Sequence, residues 1–296
     1  MQSYLTLSLI SLLLAACTPS TPPAPTGPTE LPATIPKVAD TYPGNTAPPV
    51  PVEEETAPPA PGEPQKHPLV SKTLTVAGAS LTYLSFDTRT HTIAVIDQAN
   101  GPGSKYTTAA QVTQATNSYA TINGGFFTPE GKPLGVVYHN GQKTGSLNTS
   151  SSLGSGVLYT DSTGANLTVT RRAQFSSWLK ASPTPPKEAL QTGPFLVENS
   201  LPVTGLKDSS PRIRSLLLFD GQHHFAIAQC ESISLKNLAG ALAQQPLPGF
   251  HIVTALNLDG GTSSDFHIPA KTSGGPIHLR KWLNKPARNH LIVKPQ

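Results

Sequence analysis

Beyond residue 69 the apolar positions fall in short runs, many of them alternating with polar residues and rich in β-branched types. That pattern predicts strands at Thr73–Ala77, Leu81–Phe86, Thr92–Asp97, Tyr119–Asn123, Leu134–His139, Gly156–Thr160, Asn166–Thr170, Phe195–Glu198, Ile213–Phe219, His224–Ala228 and Ile252–Leu258. Helices are fewer. Thr108–Thr116 and a short Phe175–Lys180 fit a helical period. Ser234–Gln244 fits it best: Leu235, Leu238 and Leu242 share one face, and Ser234 is placed to cap the first turn. Strands therefore outnumber helices and mix with them irregularly, which predicts an α+β fold with a large mixed β-sheet core and a few packed helices in a single globular domain, 69–296. No internal repeat is visible.

The first 68 residues follow a different pattern. Leu5–Ala16 is an uncharged apolar run of about a dozen residues, short of the ~20 needed to span a bilayer but suited to a signal peptide over 1–16. It ends in Leu14-Ala15-Ala16-Cys17, which resembles the bacterial lipobox and implies lipidation at Cys17, although no Lys or Arg precedes the run. From Thr18 to Pro68 the chain holds 16 of its 31 prolines and almost no large apolar residues. Proline removes backbone donors, and too little apolar surface is present to offset chain entropy, so 17–68 is expected to be a disordered tether. In polyproline II form it would reach ~150 Å at ~3.1 Å per residue. Together these features predict an exported lipoprotein anchored in a cell-envelope membrane, facing the periplasm or exterior.

Charge divides between the two regions. The tether carries −4 and the remainder +8, which suits an anionic extracytoplasmic partner such as a phosphorylated glycan. Nucleic acid is not expected, because no basic run is interleaved with aromatics. With Cys17 lipidated, Cys230 is the one cysteine left; it lies in the alternating segment His224–Cys230 and reads as a buried structural thiol.

Three glycine-centred corners end apolar strands. They are Ala120-Thr121-Ile122-Asn123-Gly124-Gly125-Phe126-Phe127, Leu190-Gln191-Thr192-Gly193-Pro194-Phe195-Leu196-Val197, and Ala255-Leu256-Asn257-Leu258-Asp259-Gly260-Gly261-Thr262-Ser263-Ser264. Each alone is a common turn. In this order, with Pro211-Arg212-Ile213-Arg214-Ser215 and the capped helix before the last, they resemble the phosphodiester glycosidase family over roughly residues 80–293. The resemblance implies that the segments converge on one cleft and hydrolyse a sugar-1-phosphodiester or related anionic envelope glycan. Catalytic roles would fall to Asp259 and Arg214. Asn123, Gly124, Gly125, Phe127, Thr192, Gly193, Arg212, Gly260, Gly261 and Ser263 would bind substrate. Arg212 remains an alternative to Arg214, which is preferred by its spacing to the following strand. The last motif departs from the family at Thr262, where a third glycine is usual. That departure keeps a second reading open: a non-catalytic module binding anionic envelope glycans.

The chemistry is coherent with few carboxylates. Ordinary glycosidases pair two because an alcohol leaving group needs a proton; a phosphate leaves without strong acid help. One carboxylate at the anomeric centre and an arginine fork on the phosphate then suffice. Asp265 and Glu198 are the next candidates for an acid/base partner. His139, His267 and His278 read as surface or loop histidines, with His267 the nearest in sequence to Asp259. His223 and His224 point to opposite faces of a strand and cannot share an ion. No metal or cofactor is expected. The sequons at Asn148 and Asn166 carry no expectation, and no Gly-x-Ser-x-Gly elbow occurs.

Overall fold

A computed structural model describes residues 69–296; the expected signal peptide, the lipidated Cys17 and the proline-rich tether lie outside the described residues. In chain order the elements are β1 (Val70–Val76), β2 (Ala79–Asp87), β3 (His91–Asp97), α1 (Ala109–Thr116), β4 (Ala120–Asn123), β5 (Val137–His139), β6 (Gln142–Thr144), β7 (Gly156–Tyr159) and β8 (Thr168–Arg171). They continue with α2 (Arg172–Ala181), β9 (Ala189–Thr192), β10 (Phe195–Glu198), β11 (Leu201–Pro202), β12 (Arg212–Phe219), β13 (His224–Ile233), α3 (Leu235–Ala243), β14 (Thr254–Asn257), β15 (Phe266–Ile268), β16 (Ile277–Leu279) and β17 (Asn289–Pro295). The class is the α+β one expected. All eleven predicted strands and three predicted helices have a counterpart. The sheet content resolves into three antiparallel sheets, ordered β1-β2-β13-β12-β14-β10-β11, β16-β15-β4-β17-β3 and β6-β5-β9-β7-β8.

One core joins them. Leu84, Leu217 and Ile227 from the first sheet, Ile122 and Leu291 from the second, and Leu158 and Leu190 from the third pack in a single cluster. Each sheet is backed on its other face by one helix. Leu238 and Leu242 of α3 cover Leu216, Leu218 and Ala228. Val112 of α1 covers Ala94 and Ile292, and Phe175 of α2 covers Val157 and Tyr159. This is why Leu216-Leu217-Leu218 reads as a continuous apolar run: the central strand of the first sheet is buried on both faces. Truncating Leu217 to alanine there costs ~2–5 kcal/mol.

The helix ends follow local chemistry. Thr108 and Ser234 each accept a hydrogen bond from the backbone N–H three residues on, capping α1 and α3. The β12–β13 hairpin turns at Gly221, φ +81°, where the Asp220 carboxylate accepts from the N–H groups of Gln222 and His224 at 2.8 and 3.0 Å. Cys230 is fully buried, and burial pushes its thiol up to about 12, so it is an inert core residue as expected. Among the described residues no helix is long and apolar enough to cross a membrane.

Candidate active site

The site is built where β14 leaves the first sheet. β14 lies between β12 and β10, and its apolar residues Ala255 and Leu256 are fully buried. Just past it, Leu258 N still bonds to Ser215 O at 2.8 Å; Asp259 N then turns to Gly124 O at 2.9 Å, at the end of β4. The Asp259 carbonyl accepts from Asn123 Nδ2 at 2.6 Å. The chain next passes so close to β12 that a methyl group at Gly260 would sit 2.7 Å from the Ile213 carbonyl oxygen. Gly261 adopts φ +65° and opens a turn of 3-10 helix through Ser263.

Asp259 thus arrives on a backbone clamped by two sheets. Its carboxylate accepts from Gly260 N at 2.9 Å and from the Ser263 hydroxyl. Burial outweighs those two bonds and pushes the carboxyl up to about 6.

The other corners act as braces. Asn123 is buried, and its Oδ1 accepts from Ser215 Oγ at 2.6 Å and Asp265 N at 3.1 Å. Gly124 N and Gly125 N donate to the main-chain and side-chain oxygens of Asn289 at 2.9 and 2.7 Å. Thr192 Oγ1 donates to Asn257 O at 3.0 Å, and Gly193 O accepts from Asn257 Nδ2 at 3.1 Å. Asn123, Thr192, Gly124 and Gly125 are expected from the sequence to meet substrate; in the fold the Gly124 and Gly125 N–H groups, the Thr192 hydroxyl and both polar ends of the Asn123 amide hold protein partners, and together they fix β14 and Asp259 in place. Phe127 is half-buried and bridges to Pro133 across its own short hairpin.

Arg212 and Arg214 project from one face of β12, across a register shift opposite Ile233 and Cys230. Arg214 is half-buried, its Nε on Ile233 O at 3.1 Å and its Nη2 on Ser210 O at 3.2 Å. Burial, then the neighbouring Arg212, lower its affinity for the proton. Arg212 is exposed, and its Nη1 lies 3.8 Å from where a methyl group on Gly261 would be. Neither arginine pairs with a carboxylate among the described residues. Both flank the Gly260-Gly261 backbone, so the arrangement puts two uncompensated guanidinium groups beside the loop that carries the half-buried Asp259 carboxyl.

The expected acid/base partners are engaged elsewhere. Asp265 accepts from Ala109 N at 2.9 Å, Arg280 Nη1 at 2.9 Å and His278 Nε2 at 3.0 Å. Glu198 is gripped by Arg171. His139 faces Glu188 at 3.8 Å, and His267 stands edge-on to His278 with ring centroids 5.3 Å apart. Three residues to which the sequence assigns no role complete the brace: Ser215, Asn257 and Asn289. Ser215 and Asn257 are polar interruptions of buried apolar strands, a pattern that marks a side chain with an internal partner.

The sequence model of the phosphodiester glycosidase family matches residues 116–294, well over half of the chain. No curated protein matches. Among solved structures, the zebrafish N-acetylglucosamine-1-phosphodiester alpha-N-acetylglucosaminidase catalytic domain, auto-inhibited by its pro-peptide, is similar at 13% identity and TM-score 0.53, over 77% of this chain and 82% of that one. A Burkholderia pseudomallei protein described as exported is similar at 13% identity and TM-score 0.50, over 73% of this chain and 74% of that one. At such identity these two likenesses concern the fold.

Proposed function

Since the chain belongs to the phosphodiester glycosidase family, we propose that it is a hydrolase cleaving the glycosidic bond of a sugar-1-phosphodiester or related anionic envelope glycan, held outside the cytoplasm by a lipid on Cys17 and a proline-rich tether. The observation that carries this reading is the Asp259 carboxyl, half-buried and clamped at a strand end, beside Arg212 and Arg214, neither of which pairs with a carboxylate among the described residues. The arginines bind the diester phosphate through planar forks. The Asp259 carboxylate stabilises or attacks the anomeric carbon as positive charge develops there. The C1–O bond breaks with its electron pair leaving on the phosphate monoester. A water oxygen then bonds to C1 and its proton is released. The leaving phosphate needs no strong acid, which suits a protein whose next candidate carboxylates, Asp265 and Glu198, are held by Arg280 and Arg171.

The test is to incubate the purified full chain with an N-acetylglucosamine-1-phosphodiester and measure free sugar and phosphate monoester. Release by the wild type and its loss in Asp259→Asn supports the reading. If neither protein releases sugar while the intact diester still binds, the chain is a glycan-binding module instead. Equal turnover by the two proteins removes Asp259 from the mechanism.

A further inference from the structure

One surface turn displays apolar side chains that nothing in the fold uses. Trp282 is 90% exposed and Leu283 64%, at the two central positions of a turn closed by Asn284 N donating to Lys281 O at 3.0 Å. Large apolar side chains held at a loop tip mark contact sites when they are grouped and held in place. This tip is fastened from beneath. Arg280 Nη2 donates to Asn284 O at 2.5 Å, Asn284 Nδ2 donates to Ser264 O, and Lys285 N donates to Thr262 O at 2.8 Å. The last two bonds attach the turn directly to the loop that follows Asp259. Lys281 and Lys285 flank the tip, exposed, and neither meets a carboxylate among the described residues.

Beside the turn, a cleft of about 570 Å³ is lined by His278, Arg280 and Lys281 together with Thr82, Gln229 and Glu231 of the first sheet. Gln229 is only 6% exposed, and its Nε2 has no hydrogen-bond partner. A buried amide donor left open in this way is costly unless something accepts from it. The cleft also includes Ile213, whose carbonyl oxygen lies against Gly260. It therefore adjoins the Asp259 loop across one strand.

We propose that the Trp282 turn and this cleft form an accessory subsite for a second, anionic sugar unit, so that the substrate is an extended acidic glycan; this rests on the glycosidase reading above. The electron-rich face of the indole attracts the polarised C–H groups on one side of a pyranose ring. Lys281 and Lys285 hold its phosphate or carboxylate, and Gln229 Nε2 donates to a hydroxyl. A membrane surface is the less suitable occupant. One tryptophan and one leucine bury little area, and the turn is tied to the Asp259 loop through Ser264 and Thr262.

The experiment uses the full-length protein in an Asp259→Asn background, so that nothing is turned over. The probes are a mannose oligosaccharide phosphorylated on each unit, its unphosphorylated counterpart, and phosphatidylglycerol vesicles. The readouts are calorimetric affinity and tryptophan emission. The phosphorylated oligosaccharide should bind and shift the emission to the blue. Trp282→Ala should weaken binding about tenfold, Trp282→Phe should retain most of it, and Lys281→Gln with Lys285→Gln should equalise the two oligosaccharides. Trp282 is solvent-exposed, so these variants keep the fold. No binding, binding unchanged by Trp282→Ala, or a response to vesicles in place of the oligosaccharide each overturns the subsite. The glycosidase reading is judged separately, on hydrolysis of the small diester by the wild type.

Discussion

The Asn123 side-chain amide donates to the main-chain oxygen of Asp259 at 2.6 Å, across 136 residues of sequence. A bond to a carbonyl cannot tune the carboxyl directly; it fixes where the backbone carrying the carboxyl sits. The same amide accepts from Ser215 and from Asp265 N, so one side chain ties β4, β12 and both ends of the Asp259–Asp265 loop together.

Asn123→Ala should therefore act first on stability. It leaves a buried hydroxyl and a buried N–H without an acceptor, and each such loss costs ~1–3 kcal/mol. Denaturant unfolding should show that loss with substrate absent. A residue that only touched substrate would leave the unfolding midpoint unmoved.

Asp259→Asn should abolish sugar release and also change the pH dependence of folding. Burial raises the folded-state carboxyl to about 6, above its unfolded value. Below the unfolded value both states are protonated and no penalty exists. As pH rises from about 4 to about 6 the unfolded chain ionises first, so the contribution of this carboxyl to stability falls by up to ~3 kcal/mol over that window and stays lower above it. The variant lacks this slope and should be the more stable protein at pH 7. Unfolding free energies measured at pH 4, 5, 6 and 7 check it. Turnover by the wild type should rise through about pH 6 as the carboxylate forms.

His290 supplies the opposing slope. It is fully buried on β17 with neither ring nitrogen hydrogen-bonded, and burial lowers it to about 4. Above its ordinary value both states are neutral. As pH falls from about 6.5 to about 4 the unfolded imidazole protonates while the folded one resists, and stability is lost by up to ~3 kcal/mol. The wild-type profile between pH 4 and 6 should consequently be shallow. Asp259→Asn should make it fall steeply toward acid, and His290→Leu should reverse its sign.

The two arginines should separate by assay. Arg214→Gln loses bonds to Ile233 O and Ser210 O and should lower both turnover and stability, the latter by ~1–2 kcal/mol. Arg212→Gln makes no such bonds and should leave the melting temperature unchanged while raising KM for the diester. Equal effects of the two on stability would contradict this division.

Gly124→Ala should destabilise more than an ordinary surface change. Its methyl group would fall 2.2 Å from Asn289 Oδ1, displacing the acceptor of Gly125 N. Strain and the lost bond together predict a cost of at least ~2 kcal/mol by thermal unfolding.

Much of this protein is written locally. A run such as Leu216-Leu217-Leu218 commits the chain to a strand buried on both faces, and Ser234 with Leu235, Leu238 and Leu242 commits it to a capped amphipathic helix. Ala255–Leu258 followed by Asp259-Gly260-Gly261 delivers one carboxyl at a strand end, because glycine tolerates the turn and the close approach. Hydrophobic period, cap and turn chemistry are short-range properties, so they survive in the sequence alone. What each polar atom binds is decided by distant segments. Whether Asn123 meets a ligand or a carbonyl depends on Asp259 and Ser215. Whether the Gly124 and Gly125 N–H groups are open depends on Asn289, which arrives only when β17 pairs between β3 and β4. Asp265 likewise is an open carboxylate in the sequence and a bound one in the fold, where Ala109 N of α1, His278 and Arg280 meet it. A buried donor or acceptor takes whichever partner the packing brings within 3 Å, and that choice belongs to the tertiary structure.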